Sequence, residues 1–121
     1  HAFEDMLGDE IYVMMIPSMK TMEIAKAIVT KARHKAIGVR PGEKIHEQMI
    51  GVEDARNTYA YANHYKILPM IHDWLNDPER IKKGKKVNKD FCYTSDANTE
   101  WMTASELERW IKANIDKLAE I

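Results

Sequence analysis

The chain has 121 residues, 45% of them hydrophobic and 31% charged, with a formal net charge of −1. That is the make-up of one folded domain with a single core, and its near-zero charge supplies no global field for nucleic acid or an acidic membrane. The single cysteine, Cys92, excludes an internal disulfide framework and a multi-cysteine metal site, and it suits a reducing cytoplasm.

In chain order, His1, Ala2, Phe3 and Glu4 read as the last turn of a helix whose beginning is missing, which marks the chain as a piece of something larger. Residues 10–16 form a short strand ended by Pro17, which cannot donate to a ladder. The apolar run over residues 11–16 is far short of the ~20 residues a membrane helix needs, and no signal-peptide pattern is present. Met14 and Met15 read as core filling. Thr21 is a candidate N-cap with Glu23 in the first turn, and residues 22–33 predict a helix. Its apolar stripe is Ile24, Ala25, Ile28, Val29 and Ala32, and Lys31 and Arg33 form its basic end. Residues 35–39 read as a second strand. Strand, helix and strand in that order predict a parallel pair with the helix crossing over one face.

Residues 43–50 predict a short helix stopped by Gly51, and residues 53–57 a loop or helical turn. Residues 58–62 and 65–68 are aromatic and β-prone, the second stopping at Pro69. Trp74 and Leu75 are candidate anchors for residues 70–88, which Asp77, Pro78 and Gly84 interrupt. Residues 90–101 predict a loop or short strand with a turn at residues 95–98. Thr103, Ala104, Ser105 and Glu106 form a capping box that opens a helix. The apolar face of that helix is Leu107, Trp110, Ile111, Ile115 (or Asn114 beside it) and Leu118. The fold class is α/β, a small α+β domain with a short mixed sheet and flanking helices.

Arg40, Pro41, Gly42 and Glu43 form the segment richest in chemistry. A Pro-Gly turn holds a guanidinium, whose planar fork suits phosphate oxygens, three residues from a carboxylate, which accepts hydrogen bonds from hydroxyls. That pair matches the diphosphate and the ribose diol of a sugar nucleotide; an exposed Arg-Glu surface turn is the plainer alternative. Ser18 either caps the next helix or touches substrate, with capping the commoner role for a serine so placed.

Other candidates carry less. His46 and Glu47 lack the second histidine of a metalloprotease signature, and neither His64 nor His72 has a ligand at metal spacing. His1 and His34 read as terminal and surface residues. The basic run over residues 80–89 lacks interleaved aromatics and reads as a solvated loop rather than a nucleic-acid or membrane contact. Cys92 reads as a small apolar residue. Trp74, Trp101 and Trp110 read as packing anchors or subunit contacts rather than as a sugar-stacking platform. No glycine-rich dinucleotide turn and no Tyr-x-x-x-Lys pair occurs in the chain.

Taken in order, several segments resemble one enzyme family. They are Gly8-Asp-Glu-Ile-Tyr-Val13, Ile16-Pro-Ser-Met-Lys20, Gly38-Val-Arg-Pro-Gly-Glu-Lys44, His46-Glu47, Asp54-Ala-Arg-Asn57, Gly84-Lys-Lys-Val87, Phe91-Cys-Tyr-Thr-Ser95 and Asn98-Thr-Glu-Trp101. The chain is similar to the C-terminal part of the inverting UDP-N-acetylglucosamine 4,6-dehydratases, extended short-chain dehydrogenase/reductases of polysaccharide and pseudaminic acid biosynthesis. The family usually has Pro-Lys where this chain has Met14-Met15. The resemblance implies a single substrate-binding domain over residues 1–121, the end of a Rossmann-type enzyme whose dinucleotide-binding domain is absent. It implies Arg40 on the diphosphate, Glu43 on the ribose hydroxyls, and Ser18 near substrate. It also implies NADP and the acid–base residues in the missing portion, so this portion is inactive alone, and a cytoplasmic homo-oligomer as the intact lyase. A retaining 4,6-dehydratase, a UDP-sugar 2-epimerase, a non-catalytic nucleotide-sugar module and an oligomerisation domain stay open as alternatives.

Overall fold

A computed structural model describes residues 2–29, 31, 33–70 and 77–118. His1, Ala32, His72, Trp74, Leu75 and the side chain of Leu118, all named above, lie outside the described residues. The chain divides into two compact units, His1–Ile16 with Glu47–Thr94, and Pro17–His46 with Ser95–Ile121.

The first unit is built on a four-stranded antiparallel sheet. Its strands are β1 (Ile11–Met14), β3 (Thr58–Ala60), β4 (His64–Ile67) and β5 (Lys85–Lys86), in the order β1-β4-β3-β5. β2 (Gln48–Ile50) and β6 (Tyr93–Thr94) make a second, two-stranded antiparallel ladder with a register shift between Gln48 and Ile50. Two short helices, α1 (Ala2–Asp5) and α3 (Pro78–Ile81), and the 3-10 helix Val52–Asn57 complete the unit. Alternation along the strands separates two faces. On one, Val13, Ile50, Ile67 and Tyr93 form the apolar core, with Tyr65 and Phe91 packed against it. The Tyr93 hydroxyl accepts the Ile16 N–H at 3.0 Å and donates to the Ile16 carbonyl at 2.9 Å.

The opposite face holds charge. Register places Lys66 of the central strand between Tyr12 and Tyr59, and its side chain is 1% exposed. Its ammonium donates to Asp5 Oδ2 at 2.7 Å and to the Arg80 carbonyl at 3.1 Å, and lies 4.9 Å and 5.3 Å from the ring centres of Tyr12 and Tyr61. A buried ammonium survives only when its protons find such acceptors. Nearby, the Glu10 carboxylate takes the Arg80 guanidinium at 2.6 Å and the Gly8 N–H at 2.8 Å. Asp77 caps α3 by accepting the N–H of Glu79 at 2.9 Å, which delivers Arg80 to Glu10. Lys85 and Lys86 lie exposed on the sheet's edge strand, where lysines discourage pairing with another chain. Gly84 passes so close to Tyr61 that an added Cβ would lie 2.5 Å from its hydroxyl, which bonds the Ile81 carbonyl at 2.6 Å. Gly84→Ala is therefore expected to lower stability by about 1 kcal/mol in urea denaturation, and an unchanged midpoint would contradict this packing.

His64 gives this face a pH response. Its ring stacks between Tyr61 and Tyr12, at centroid distances of 4.6 Å and 5.4 Å. With Asn63 Oδ1 as acceptor at 2.8 Å, Nδ1 carries the proton, and the buried Nε2 has no partner among the described residues. Burial, and then the Lys66 charge, push the imidazole below its ordinary range, against a smaller opposing pull from Asp5. A depressed pKa favours the neutral ring in the fold, so this stability is complete above about pH 6.5 and is lost as pH falls below it. Chemical denaturation between pH 7.5 and 5 should show the decline, and His64→Phe should flatten it.

The second unit pairs two helices, α2 (Thr21–Ile28) and α4 (Ala104–Leu118). The predicted capping box forms: Glu106 Oε2 accepts the Thr103 N–H at 2.7 Å, and the Glu106 N–H points back to Thr103 Oγ1 at 3.4 Å. Leu107, Ile111 and Asn114 are the half-buried line of α4, while Trp110 and Ile115 stay exposed. Asn114, not Ile115, therefore lies inward. Glu23 of α2 pairs with Lys26 one turn on, its Oε1 accepting from the Lys26 ammonium at 2.7 Å.

Several expectations fail here: α2 ends at Ile28 rather than near residue 33, its N-cap is Lys20 rather than Thr21, and Met14, expected as core filling, is 53% exposed. Residues 35–39 form no strand: Gly38 sits at φ +82°, a left-handed conformation a strand cannot hold, and Ile37 and Val39 are exposed. The predicted parallel strand–helix–strand pair therefore does not form, and the ladders between strands are antiparallel. Residues 43–50 are not a helix either, because Ile50 is drawn fully into the core as part of β2. The fold class is accordingly mixed α and β, with small antiparallel sheets.

Candidate functional site

Arg40 and Glu43 are brought together by the turn between them. Pro41 fixes the first central position and Gly42, at φ +83°, takes the second, the pattern of a type II turn. The Glu43 N–H closes it onto the Arg40 carbonyl at 3.1 Å. The Glu43 carboxylate then turns back, its Oε2 accepting the Arg40 N–H at 2.9 Å. One carboxylate oxygen thus stiffens the turn, and Oε1 has capacity left for a hydroxyl. Both residues are exposed, so the guanidinium faces water and is available to an anion.

Ser18 is placed differently. It is buried at 9% exposure, in an isolated parallel bridge with Trp101. Its N–H donates to the Glu100 carbonyl at 2.8 Å, its carbonyl accepts the Met102 N–H at 2.9 Å, and its hydroxyl accepts the Asn98 side-chain amide at 3.1 Å. It does not cap α2, whose N-cap is Lys20 with no side-chain bond, so the capping role is corrected. The Asn98–Trp101 segment, read from the sequence as turn and anchor, instead clasps Ser18 through its side chain and backbone.

The Glu23 carboxyl, held below its usual range first by the Lys26 ammonium at 2.7 Å, lies beside Trp101 and Thr103 in an open cleft of about 360 Å³. Trp101, expected as a packing anchor or a subunit contact, is 48% exposed, which fits the second of those roles better than the first. Among the described residues, no group of three or more His, Cys, Asp or Glu is arranged to hold a metal ion. No helix among them is long and apolar enough to cross a membrane.

Residues 1–69 match the model of a family described as polysaccharide biosynthesis protein. Two relatives from Campylobacter jejuni subsp. jejuni, serotype O:23/36 strain 81-176 and serotype O:2 strain ATCC 700819 / NCTC 11168, are UDP-N-acetylglucosamine 4,6-dehydratases (inverting). They are 43% identical over 112 residues and 42% identical over 110 residues, each alignment covering 87% of this chain and 33% of the relative. The chain thus spans about a third of the length of the curated relatives it matches. The X-ray structure of Pen from Bacillus thuringiensis has the same fold over this region. It matches with a TM-score of 0.71 at 17% identity, covering 93% of this chain and 34% of that one.

Proposed function

Because the chain belongs to the polysaccharide biosynthesis protein family, alongside relatives that are inverting UDP-N-acetylglucosamine 4,6-dehydratases, we propose that it is the nucleotide-sugar-binding portion of such an enzyme. The observation that carries this reading is the Arg40–Glu43 turn, which presents an exposed arginine beside a carboxylate braced by the Arg40 N–H. In the proposed complex, Arg40 binds the diphosphate as a fork of donors and Glu43 Oε1 accepts a ribose hydroxyl. Held at those two points, the hexose is positioned for groups elsewhere in the enzyme, which lowers the entropy demand of the reaction. The whole enzyme would convert UDP-N-acetylglucosamine to a 4-keto-6-deoxy sugar with inversion at carbon 5.

In this reading NADP is not held by the described residues. The N-cap of α2 is Lys20, not a glycine-rich turn, and at Gly51 an added Cβ would lie 2.5 Å from the Glu53 carboxyl, so that side is already filled. In this reading the dinucleotide is held outside the chain, and this portion supplies no step of the chemistry itself.

The test is isothermal titration of UDP-N-acetylglucosamine into the full natural polypeptide, with product analysis for the 4-keto-6-deoxy sugar. Saturable binding with product supports the reading. Absence of UDP-sugar binding sinks it.

A further inference from the structure

We propose that the open face of Trp101 is a stacking platform for the uracil ring of the nucleotide, an inference that rests on the function proposed above. The ring is held in place but not covered. Its Nε1–H donates to the Asn98 carbonyl at 2.8 Å, and the backbone bonds of Ser18 to Glu100 and Met102 pin the segment on both sides. The indole's one polar atom is thus satisfied by its own loop, yet the residue is 48% exposed. A tryptophan serving as a core anchor hides most of its area and seeks a partner there. This one spends its hydrogen bond on orientation and leaves about half of its area open, in the wall of two clefts.

Two open clefts, of about 360 Å³ and 460 Å³, share Trp101 in their walls. The larger has Glu100 and Glu106 in its lining and repels a phosphorylated ligand. The smaller is lined by Lys20, Glu23 and Thr103 beside the indole and Met102. There Thr103 Oγ1 is committed to Glu106, and Glu23 to Lys26. Exposed Lys20 is the donor that can meet a uracil carbonyl, and its charge suits the diphosphate that follows. A flat ring on the indole with Lys20 at its edge is the arrangement by which aromatic side chains hold nucleobases.

The experiment measures UDP and UDP-N-acetylglucosamine affinity of the full natural polypeptide by calorimetry, with Trp101→Ala and Trp101→Phe, and follows size by gel filtration. Trp101→Ala is expected to weaken both ligands about tenfold or more, and Trp101→Phe to stay within about threefold, since stacking tolerates the change of ring. Unchanged UDP affinity in Trp101→Ala overturns the proposal. So does a loss confined to UDP-N-acetylglucosamine, which would put the hexose on the ring. Equal loss in both variants would assign the effect to the Nε1 bond and also overturn it, as would a shift in oligomeric state with unchanged affinity. If Arg40→Ala still weakens UDP while Trp101→Ala does not, the nucleotide-sugar function stands without this subsite. If the unsubstituted polypeptide binds neither ligand, both fall.

Discussion

Alanine in place of Arg40 is expected to weaken UDP-sugar binding by about 1.5–3 kcal/mol, the worth of a charge-assisted contact to a phosphate. The effect should fall on the nucleotide sugar alone, with little change in NADP affinity. Stability should hardly move, because the side chain is exposed and the turn rests on the backbone of residue 40, which alanine retains. Arg40→Lys should recover only part of the affinity, since an ammonium is a point charge and cannot match two phosphate oxygens as a planar fork does. Calorimetric titration of the full natural polypeptide decides the matter. Wild-type affinity in Arg40→Ala removes the assignment.

Arg80→Ala is expected to be the most destabilising of the substitutions considered, at about 3 kcal/mol. Breaking a buried ion pair by removing one partner costs roughly 3–5 kcal/mol, because the remaining charge is left uncompensated. The remaining charge here is Glu10, whose side chain is 0% exposed. The lower end of the range applies because the Gly8 N–H at 2.8 Å still serves the carboxylate. Burial pushes the Glu10 carboxyl up, and the N–H groups of Gly8, Glu10 and Leu7 together with the Arg80 guanidinium outweigh it, so the net shift is down. Asp5 is likewise held well below its usual range, first by Lys66 and then by Lys82. Depressed carboxyl pKa values mean stability present above about pH 4 and lost as pH falls through the folded values. Urea denaturation at pH 7 and at acid pH reads both effects. Arg80→Ala should lose stability mainly at neutral pH, where Glu10 is charged; an equal loss at both would point to packing instead.

Where local chemistry decides the structure, the sequence is a sufficient guide. The Thr103 and Glu106 capping box needs only residues three apart, and the Arg40–Glu43 turn needs only a proline followed by a glycine. The aromatic and β-branched residues of β3 and β4 likewise announce strands. What stays hidden depends on distant partners. Nothing local marks Lys66 as buried; register sets it between Tyr12 and Tyr59, and its ammonium reaches Asp5. Arg80 reads as the start of a basic loop, and its partner Glu10 lies 70 residues away in sequence. Residues 35–39 have a strand's composition, but Gly38 turns through φ +82°. Of the candidate site, the Arg40–Glu43 pair is legible. Ser18 is not, because its partners come from residues 98–102.

The two compact units are threaded through one another along the chain. Each takes two separate stretches, so the backbone leaves one unit for the other after Ile16, after His46 and after Thr94. No single cut therefore releases either unit whole. A nick within residues 17–46 leaves β1 and β4 paired but held by hydrogen bonds rather than by a continuous main chain. Loss of everything beyond Thr94 removes α4 and strips α2 of its packing partner. A fusion or exchange that keeps either unit intact must therefore carry both of its stretches together.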